Sequence, residues 1–200
     1  MSRGLGDVYK RQQYTINTKT QFSTVENAKQ ALMGCYGYMS ADNAYGQAWQ
    51  EVTFGYCGFG WSQTNGSSTD LLVSMDGGID ETINTMAWRG MYKVIGETNA
   101  FIANIADSPL ESADKLPMEA AARFLRALAY YNLAVTYGDV PLKTTPSAHD
   151  GVAVPRSPKN EVFELVRTDW EFAYENLPEK DDDGFATKWA AKAYLGKLYH

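Results

Sequence analysis

Apolar side chains recur at three- and four-residue steps in five separate stretches of this chain, and polar side chains fill the positions between them. This period is that of a helix with one buried face. The pattern therefore predicts a mainly α protein, with helices expected over about residues 23–40, 82–106, 117–137, 158–177 and 187–200.

Residues at the ends of these stretches carry recognisable start and stop signals. Ser23 and Glu26 have the spacing of a capping box, which marks the start of the first helix. Pro117 suits the first turn of the third helix, where its missing amide would be unpaired anyway. Gly138 supplies the left-handed residue that ends that helix, and Pro141 prevents it from restarting.

The last two predicted helices follow the same rules. Ser157 and Pro158 are read as a cap and a first-turn proline, and Thr187 is read as the cap of the fifth helix. Small residues at 190, 191 and 193 favour close packing of that helix against a partner. Similar alanine- and tyrosine-containing segments at 126–130 and 192–195 indicate stacked hairpins of the tetratricopeptide-like kind.

Helical periodicity is lost between Ala41 and Asp80, where glycine, asparagine and serine alternate with aromatic residues. This composition predicts a long irregular loop region, and long loops in compact domains are usually functional. A pair of short strands around Val52 to Tyr56 is the alternative.

Charge and hydropathy exclude several classes of partner. Twenty-four acidic against eighteen basic residues give a net charge of -6, which disfavours binding to nucleic acid or anionic lipid. The longest uncharged run, residues 52–69, contains four glycines and many polar side chains, so it does not predict a membrane-spanning helix.

The two cysteines, Cys35 and Cys57, do not form a metal-binding motif with the two histidines. A single disulfide fits the count, but the helical setting of Cys35 favours two unpaired thiols. We expect neither a metal ion nor a cofactor.

Both ends of the chain lack the usual signals of a domain boundary. The first twelve residues, MSRGLGDVYKRQ, have no helical or strand period and resemble a translated sequencing adapter, so they are excluded from the fold. The final residues stop within a helical pattern without a cap. We therefore expect residues 13–200 to be the N-terminal part of a longer helical domain.

The sequence resembles the SusD/RagB family in the order of several motifs. Trp88, Tyr92, Ile95 and Asn99 have the family spacing W-x3-Y-x2-I-x3-N. The segment ARFLRALAYYNLAVTYGDVPL follows, with Arg123, Arg126, Gly138, Asp139 and Pro141, and then Arg156-Ser157 before a helix ending in Leu-Pro. The resemblance covers about residues 22–200.

This resemblance implies a fold of tetratricopeptide-like helix hairpins and a function in nutrient uptake. Family members are lipoproteins on the outer face of the outer membrane of Bacteroidota, and they bind glycans or other nutrients over a SusC-like TonB-dependent transporter. By this resemblance, contact with the membrane requires only a lipid anchor, and both the anchor and the signal peptide are expected to be absent from this chain.

Two positions depart from the family pattern. Ala121 stands where the family has a glutamate, so an ion pair of Arg123 or Arg126 needs another acid, for which Glu119 is the candidate. Thr69-Asp70 is followed by LLVSMDGG and not by a tryptophan-rich segment, which weakens starch as the ligand.

Core packing is the simplest role for the signature residues. Trp88, Tyr92 and Asn99 share one helical face, and we expect Asn99 to bond a backbone group. Arg123 and Arg126 are neighbours on one helix and are expected to form a structural ion pair or carbonyl contacts.

The aromatic loop offers a better candidate for ligand binding. Sugars present an apolar C–H face and a rim of hydroxyls, so a sugar site needs flat rings and a few carboxylate or amide side chains. The loop supplies both types, and the candidate residues are Trp49, Tyr56, Phe59, Trp61, Asn65, Asp70 and Asp76.

Catalysis has little support in the sequence, because the acids are scattered and neither histidine lies in a nucleophile or metal motif. Together with this, the family resemblance implies a protein that captures oligosaccharide and hands it to a transporter. The rival hypothesis is a helical-repeat scaffold that binds a protein partner and no sugar.

Overall fold

The computed structural model describes residues 21–55, 57, 82–146, 154–181 and 183–199. Among these residues it contains six α-helices, one short π-helical segment and one two-stranded antiparallel sheet. The helices are α1 (Val25–Ser40), α2 (Ala48–Gly55), α3 (Thr82–Ala106), α4 (Ser112–Tyr137), α5 (Lys159–Asn176) and α6 (Lys188–Leu198); the π-helical segment is Asp42–Gly46, and the strands are β1 (Val140–Pro141) and β2 (Arg156–Ser157).

Helix α4 forms the centre of the fold. It packs against α3 on one side and α5 on the other, α6 packs against α5, and α1 lies across α3 and α4. Its buried face is rich in alanine, and small side chains let neighbouring helices approach closely. The successive helix pairs confirm a mainly α, tetratricopeptide-like fold.

Helix α1 starts one residue later than the capping box predicts. Thr24, and not Ser23, is the N-cap, and its hydroxyl accepts a hydrogen bond from the amide of Asn27 at 3.3 Å. The buried stripe of this helix includes Leu32, Cys35 and Met39, in agreement with the predicted period.

The prediction of an irregular loop from Ala41 onward is wrong for residues 42–55. Here the chain forms the π-helical segment, which is kinked at Ala44, and then α2. Ala44, Ala48 and Val52 are fully buried and lie four residues apart, so this stretch has a helical face made mainly of small side chains. The alternative of strands around Val52 is also wrong.

Helix α4 begins earlier than predicted and ends where expected. It starts at Ser112, so Pro117 lies inside the helix and not in its first turn. Gly138 ends it with a φ of +75°, and its amide donates to the carbonyl of Ala134. The positive φ explains why glycine is suited to this position.

The cap of α5 comes from a distant part of the chain. Ser157 is in strand β2 and does not cap the helix, and Pro158 is the N-cap residue. The carboxylate of Asp139 accepts a hydrogen bond from the amide of Lys159 at 2.9 Å, which satisfies one of the free amides at the start of α5. Residues 138–141 thereby connect the end of α4 to the start of α5.

Helix α6 is less buried than its small residues predict. Thr187 occupies the N-cap position without a side-chain cap bond, and Ala191 is the only fully buried residue of the helix. Ala193 is exposed. The two cysteines are free, as predicted, with Cys35 buried and Cys57 exposed.

Candidate functional site

Asn99 and Arg126, two of the signature residues, take part in a buried polar network between α3, α4 and α5. Arg126 donates from Nε to Oδ2 of Asp169 and from Nη2 to Oδ1, both at 2.8 Å. Its Nη1 donates to Oδ1 of Asn99 at 2.9 Å. Arg126 is 5% exposed and Asp169 is fully buried. The network therefore holds three helices at fixed positions.

Asn99 extends this network to the segment that follows strand β1. Its side-chain nitrogen donates to the carbonyls of Lys143, at 3.0 Å, and Thr145, at 3.2 Å. This confirms the prediction that Asn99 bonds backbone groups. The same segment is held by Tyr130, whose hydroxyl bonds both the amide and the carbonyl of Lys143 at 2.6 and 2.8 Å.

Arg123 uses the acid that the sequence predicts. Its Nη2 lies 2.6 Å from a carboxylate oxygen of Glu119, and its guanidinium stacks over the ring of Phe172 at 4.3 Å. Ala121, at the position of the family glutamate, is 2% exposed and lines a cavity of about 60 Å³. The principal partner of Arg126 is Asp169, which the sequence pattern does not predict.

A larger pocket opens between the first turns of α3, the end of α4 and strand β2. It has a volume of about 350 Å³, and it combines aromatic rings with amide, hydroxyl and charged groups. The lining residues are Asn84, Thr85, Trp88, Tyr137, Asp139 and Arg156. This mixed lining is typical of ligand pockets.

The aromatic wall of this pocket is held from several directions. Trp88 packs edge-on against Tyr137, with ring centroids 5.1 Å apart and planes at 83°, and it also packs against Tyr92 at 4.9 Å. The hydroxyl of Tyr137 donates to the carbonyl of Asn84 at 3.3 Å. Trp88 is thus partly core, as predicted, and partly a pocket wall.

The rim of the pocket carries one acid and one base. Asp139 and Arg156 are both exposed, and Arg156 lies opposite Pro141 in the strand pair. Tyr92 donates to the carbonyl of Pro141 at 2.8 Å. Burial raises the pKa of Tyr92 above its ordinary value, the neighbouring Tyr130 raises it further, and Arg156 partly opposes this effect.

Most of the predicted ligand-binding residues lie outside the described residues: Tyr56, Phe59, Trp61, Asn65, Asp70 and Asp76. The exception is Trp49, for which the prediction needs correction. It lies on α2, is 6% exposed and belongs to the core. The four-residue repeat of Ala44, Ala48 and Val52 gives this stretch a helical face, and α2 packs against α3. A ring so enclosed has no free face for a sugar.

The sequence does not identify Asn84, Thr85, Tyr137 and Arg156 as candidate ligand contacts. Arg156 and Asp139 belong to the family motifs, and Gly138, next to Asp139, marks the predicted end of a helix. No local signal shows, however, that residues 84 and 156 line one pocket, because residue 156 is positioned by the pairing of β2 with β1 and residue 84 lies on α3.

Within the ranges that the structure describes, no group of three or more histidine, cysteine or acidic side chains is placed to hold a metal ion. In the same ranges, none of the helices has the length and apolar character needed to cross a bilayer.

The chain is similar to a known protein family. Residues 15–200 match the SusD-like family described as starch-binding and associating with the outer membrane. A SusD-like protein of Bacteroides ovatus is 33% identical over 125 residues, covering 60% of this chain and 23% of the relative. SusD-like protein P25 of Formosa agariphila is 23% identical over 198 residues, covering 92% and 37%. The chain therefore spans less than two fifths of either relative.

Solved structures agree with these relatives. A laminarin-binding SusD-like protein is 25% identical, with a TM-score of 0.74 over 88% of this chain and 40% of that protein. A second structure, determined with xylogluco-oligosaccharide, is 26% identical, with a TM-score of 0.72 over 84% and 34%.

Proposed function

Because this chain belongs to the SusD/RagB family, we propose that it binds glycans or related nutrients at the cell surface and delivers oligosaccharide to a SusC-like TonB-dependent transporter. The observation that carries this proposal is the family match over residues 15–200. Members of this family are carbohydrate-binding proteins associated with the outer membrane.

The ligands of two structural relatives support a glycan as the ligand here. One relative binds laminarin and the other was determined with xylogluco-oligosaccharide, and both match more than four fifths of this chain. Both ligands are neutral, and neither is starch. A neutral β-glucan is therefore the first ligand to test.

The proposal is for binding without catalysis and without a cofactor. The helices act as a rigid frame, and the protein acts at the outer face of the outer membrane, to which a lipid anchor attaches it. Within the frame, the buried Arg126 network fixes α3, α4 and α5, and a fixed frame lowers the entropic cost of binding.

The aromatic segment remains the proposed main contact surface. Flat rings at Tyr56, Phe59 and Trp61 stack on the apolar faces of sugar units, and Asn65, Asp70 and Asp76 bond their hydroxyls. Trp49 is not part of this surface, because it is buried in the core.

Isothermal titration tests the function directly. The full-length protein is titrated with a panel of laminarin, xyloglucan, starch and host oligosaccharides, and heat of binding is expected with at least one of them. The absence of heat with every glycan, together with copurification of a defined protein partner, would instead support the helical-repeat scaffold.

A substitution at Trp61 tests the proposed contact surface. Trp61→Ala is expected to weaken sugar binding by about 1–3 kcal/mol without changing the melting temperature, since a stacking ring in a desolvated site contributes this much. Trp189→Ala is the matched control, because Trp189 is 51% exposed on α6. A large loss of stability with unchanged affinity would assign Trp61 to the core.

A further inference from the structure

We propose that the pocket lined by Trp88, Tyr137, Asp139 and Arg156 is a second carbohydrate contact, which takes one uncharged sugar unit of the bound glycan. This inference rests on the proposed function and adds a site to it. Trp49, the one predicted ligand-binding residue that the structure describes, does not line this pocket, which lies between the start of α3, the end of α4 and strand β2.

The size of the pocket fits one sugar unit. Its volume of about 350 Å³ falls in the range of about 300–1,000 Å³ that ligand sites occupy. The pocket is therefore large enough to admit one sugar unit.

The aromatic wall is already in place for a sugar ring. Trp88 is held between the rings of Tyr92 and Tyr137, and Tyr137 is held in turn by its bond to the carbonyl of Asn84. An indole fixed in this way loses little rotamer freedom when a ligand binds. Its apolar surface suits the C–H groups of a pyranose.

The polar groups determine the class of ligand. Asn84 and Thr85 both donate and accept hydrogen bonds, Arg156 donates, and Asp139 accepts through the oxygen that does not bond the amide of Lys159. A hydrophobic ligand would displace the water around these groups and offer no hydrogen bonds in return. Among the residues that the structure describes, the rim carries one positive and one negative side chain, which favours a neutral polyol over a uronate or a sulfated sugar.

Titration of a matched pair of arginine variants tests the pocket. Arg156→Met removes the guanidinium but keeps most of the aliphatic stem, and Arg89→Met makes the same change at an exposed position on α3 that does not line the pocket. With a glycan that the wild-type protein binds, Arg156→Met is expected to raise Kd about tenfold or more, because a hydrogen bond to a charged group contributes about 1.5–3 kcal/mol. Arg89→Met is expected to leave Kd within about twofold.

A second variant excludes an effect on folding. Thr85→Val keeps the shape of the side chain and removes its hydroxyl, and it is expected to raise Kd in the same direction at an unchanged melting temperature. If Kd is unchanged in both Arg156→Met and Thr85→Val, and both variants still bind glycan, the assignment of this pocket as a sugar contact is wrong. The proposed function is not affected by that result. If the wild-type protein binds no glycan, both proposals are wrong.

Discussion

Arg126 and Asp169 lie 43 residues apart on different helices and form a bidentate ion pair, with both N–O distances at 2.8 Å and the carboxylate fully buried. Removing Asp169 leaves the buried charge of Arg126 without a carboxylate partner, and removing Arg126 leaves Asp169 with only a contact of 3.5 Å to Nη1 of Arg123. We expect Asp169→Asn or Arg126→Met to lower the free energy of unfolding by about 3–5 kcal/mol, as for other buried pairs. Urea denaturation measures this loss.

A double variant separates the pair from its surroundings. Arg126→Met combined with Asp169→Leu is expected to lose less stability than the sum of the two single variants, because no lone charge remains buried. Arg167 is the control: its ion pairs with Glu164 and Glu171 are exposed to solvent, so Arg167→Met is expected to cost far less stability than either single variant of the buried pair. Equal losses at Arg126 and Arg167 would contradict the role of burial.

Gly90 on α3 is required by the close approach of the π-helical segment. A Cβ at this position would overlap the carbonyl oxygen of Asn43, which is backbone and has little room to move. We expect Gly90→Ala to destabilise the protein by at least about 1–3 kcal/mol, which is the usual cost of overpacking a core. Thermal unfolding followed by circular dichroism measures the change.

Gly37 provides the opposite outcome in the same experiment. It is an exposed glycine in α1, and a Cβ added there would meet no other atom within 4 Å. Gly37→Ala is therefore expected to stabilise the helix by roughly 0.5–1 kcal/mol through the lower entropy of the unfolded chain. If both substitutions stabilised the protein, the contact between α3 and Asn43 would be wrong.

Buried tyrosines predict a loss of stability at alkaline pH. Burial raises the pKa of Tyr36 from 10.0 to about 12, and burial likewise raises the pKa of Tyr45 and Tyr92. Because these pKa values are higher in the folded than in the unfolded state, the neutral phenols stabilise the fold fully below about pH 10, and this contribution is lost as the pH rises to about 12. Urea denaturation across this pH range measures the loss.

A phenylalanine variant identifies the contribution of Tyr36. Tyr36→Phe is expected to be less stable at neutral pH, because the amide of Ala186 loses its hydrogen bond to the hydroxyl, but to show a smaller loss between about pH 10 and pH 12. Tyr38→Phe, at a ring that is 40% exposed, is the control. An identical pH dependence in Tyr36→Phe and the wild-type protein would contradict this assignment.

The two thiols are expected to differ sharply in reactivity. Cys35 is 4% exposed, and burial, with a further effect of Glu97, raises its pKa from 9.0 to about 12. Thiolate is the reactive form, so Cys35 is expected to resist a thiol reagent in the folded protein, whereas the exposed Cys57 reacts. Both are expected to react in urea. Rapid labelling of a Cys57→Ser variant without denaturant would contradict the burial of Cys35.

Helices with an unbroken apolar period could be predicted closely from the sequence. Helix α3 spans Thr82–Ala106, as expected, because large side chains mark its buried face and polar residues with Pro109 follow it. The sequence pattern misassigns residues 42–55 because Ala44 and Ala48 carry the buried face there. Alanine is a weak hydrophobic signal, and the glycines and asparagines around it are typical of loops.

Contacts between distant segments could not be predicted in the same way. The sequence offers Glu119 as a partner of Arg123 or Arg126, because Ala121 replaces the family glutamate, and Glu119 pairs with Arg123 one helical turn away. It does not identify Asp169 as the partner of Arg126, since that contact depends on how α4 packs against α5. The pocket at Arg156 depends on the strand pair for the same reason.

The two ends of the connection between α4 and α5 are held together by two contacts. Val140–Pro141 pairs with Arg156–Ser157, and the amide of Lys159 donates a hydrogen bond to Asp139. These bonds use only residues 139–141 and 156–159, so a change of length elsewhere between 141 and 156 removes none of them. Homologous chains can therefore lengthen, shorten or recompose this connection beside an unchanged scaffold. The same architecture can in this way diverge toward new ligands, and an engineer can graft a recognition peptide at the same place.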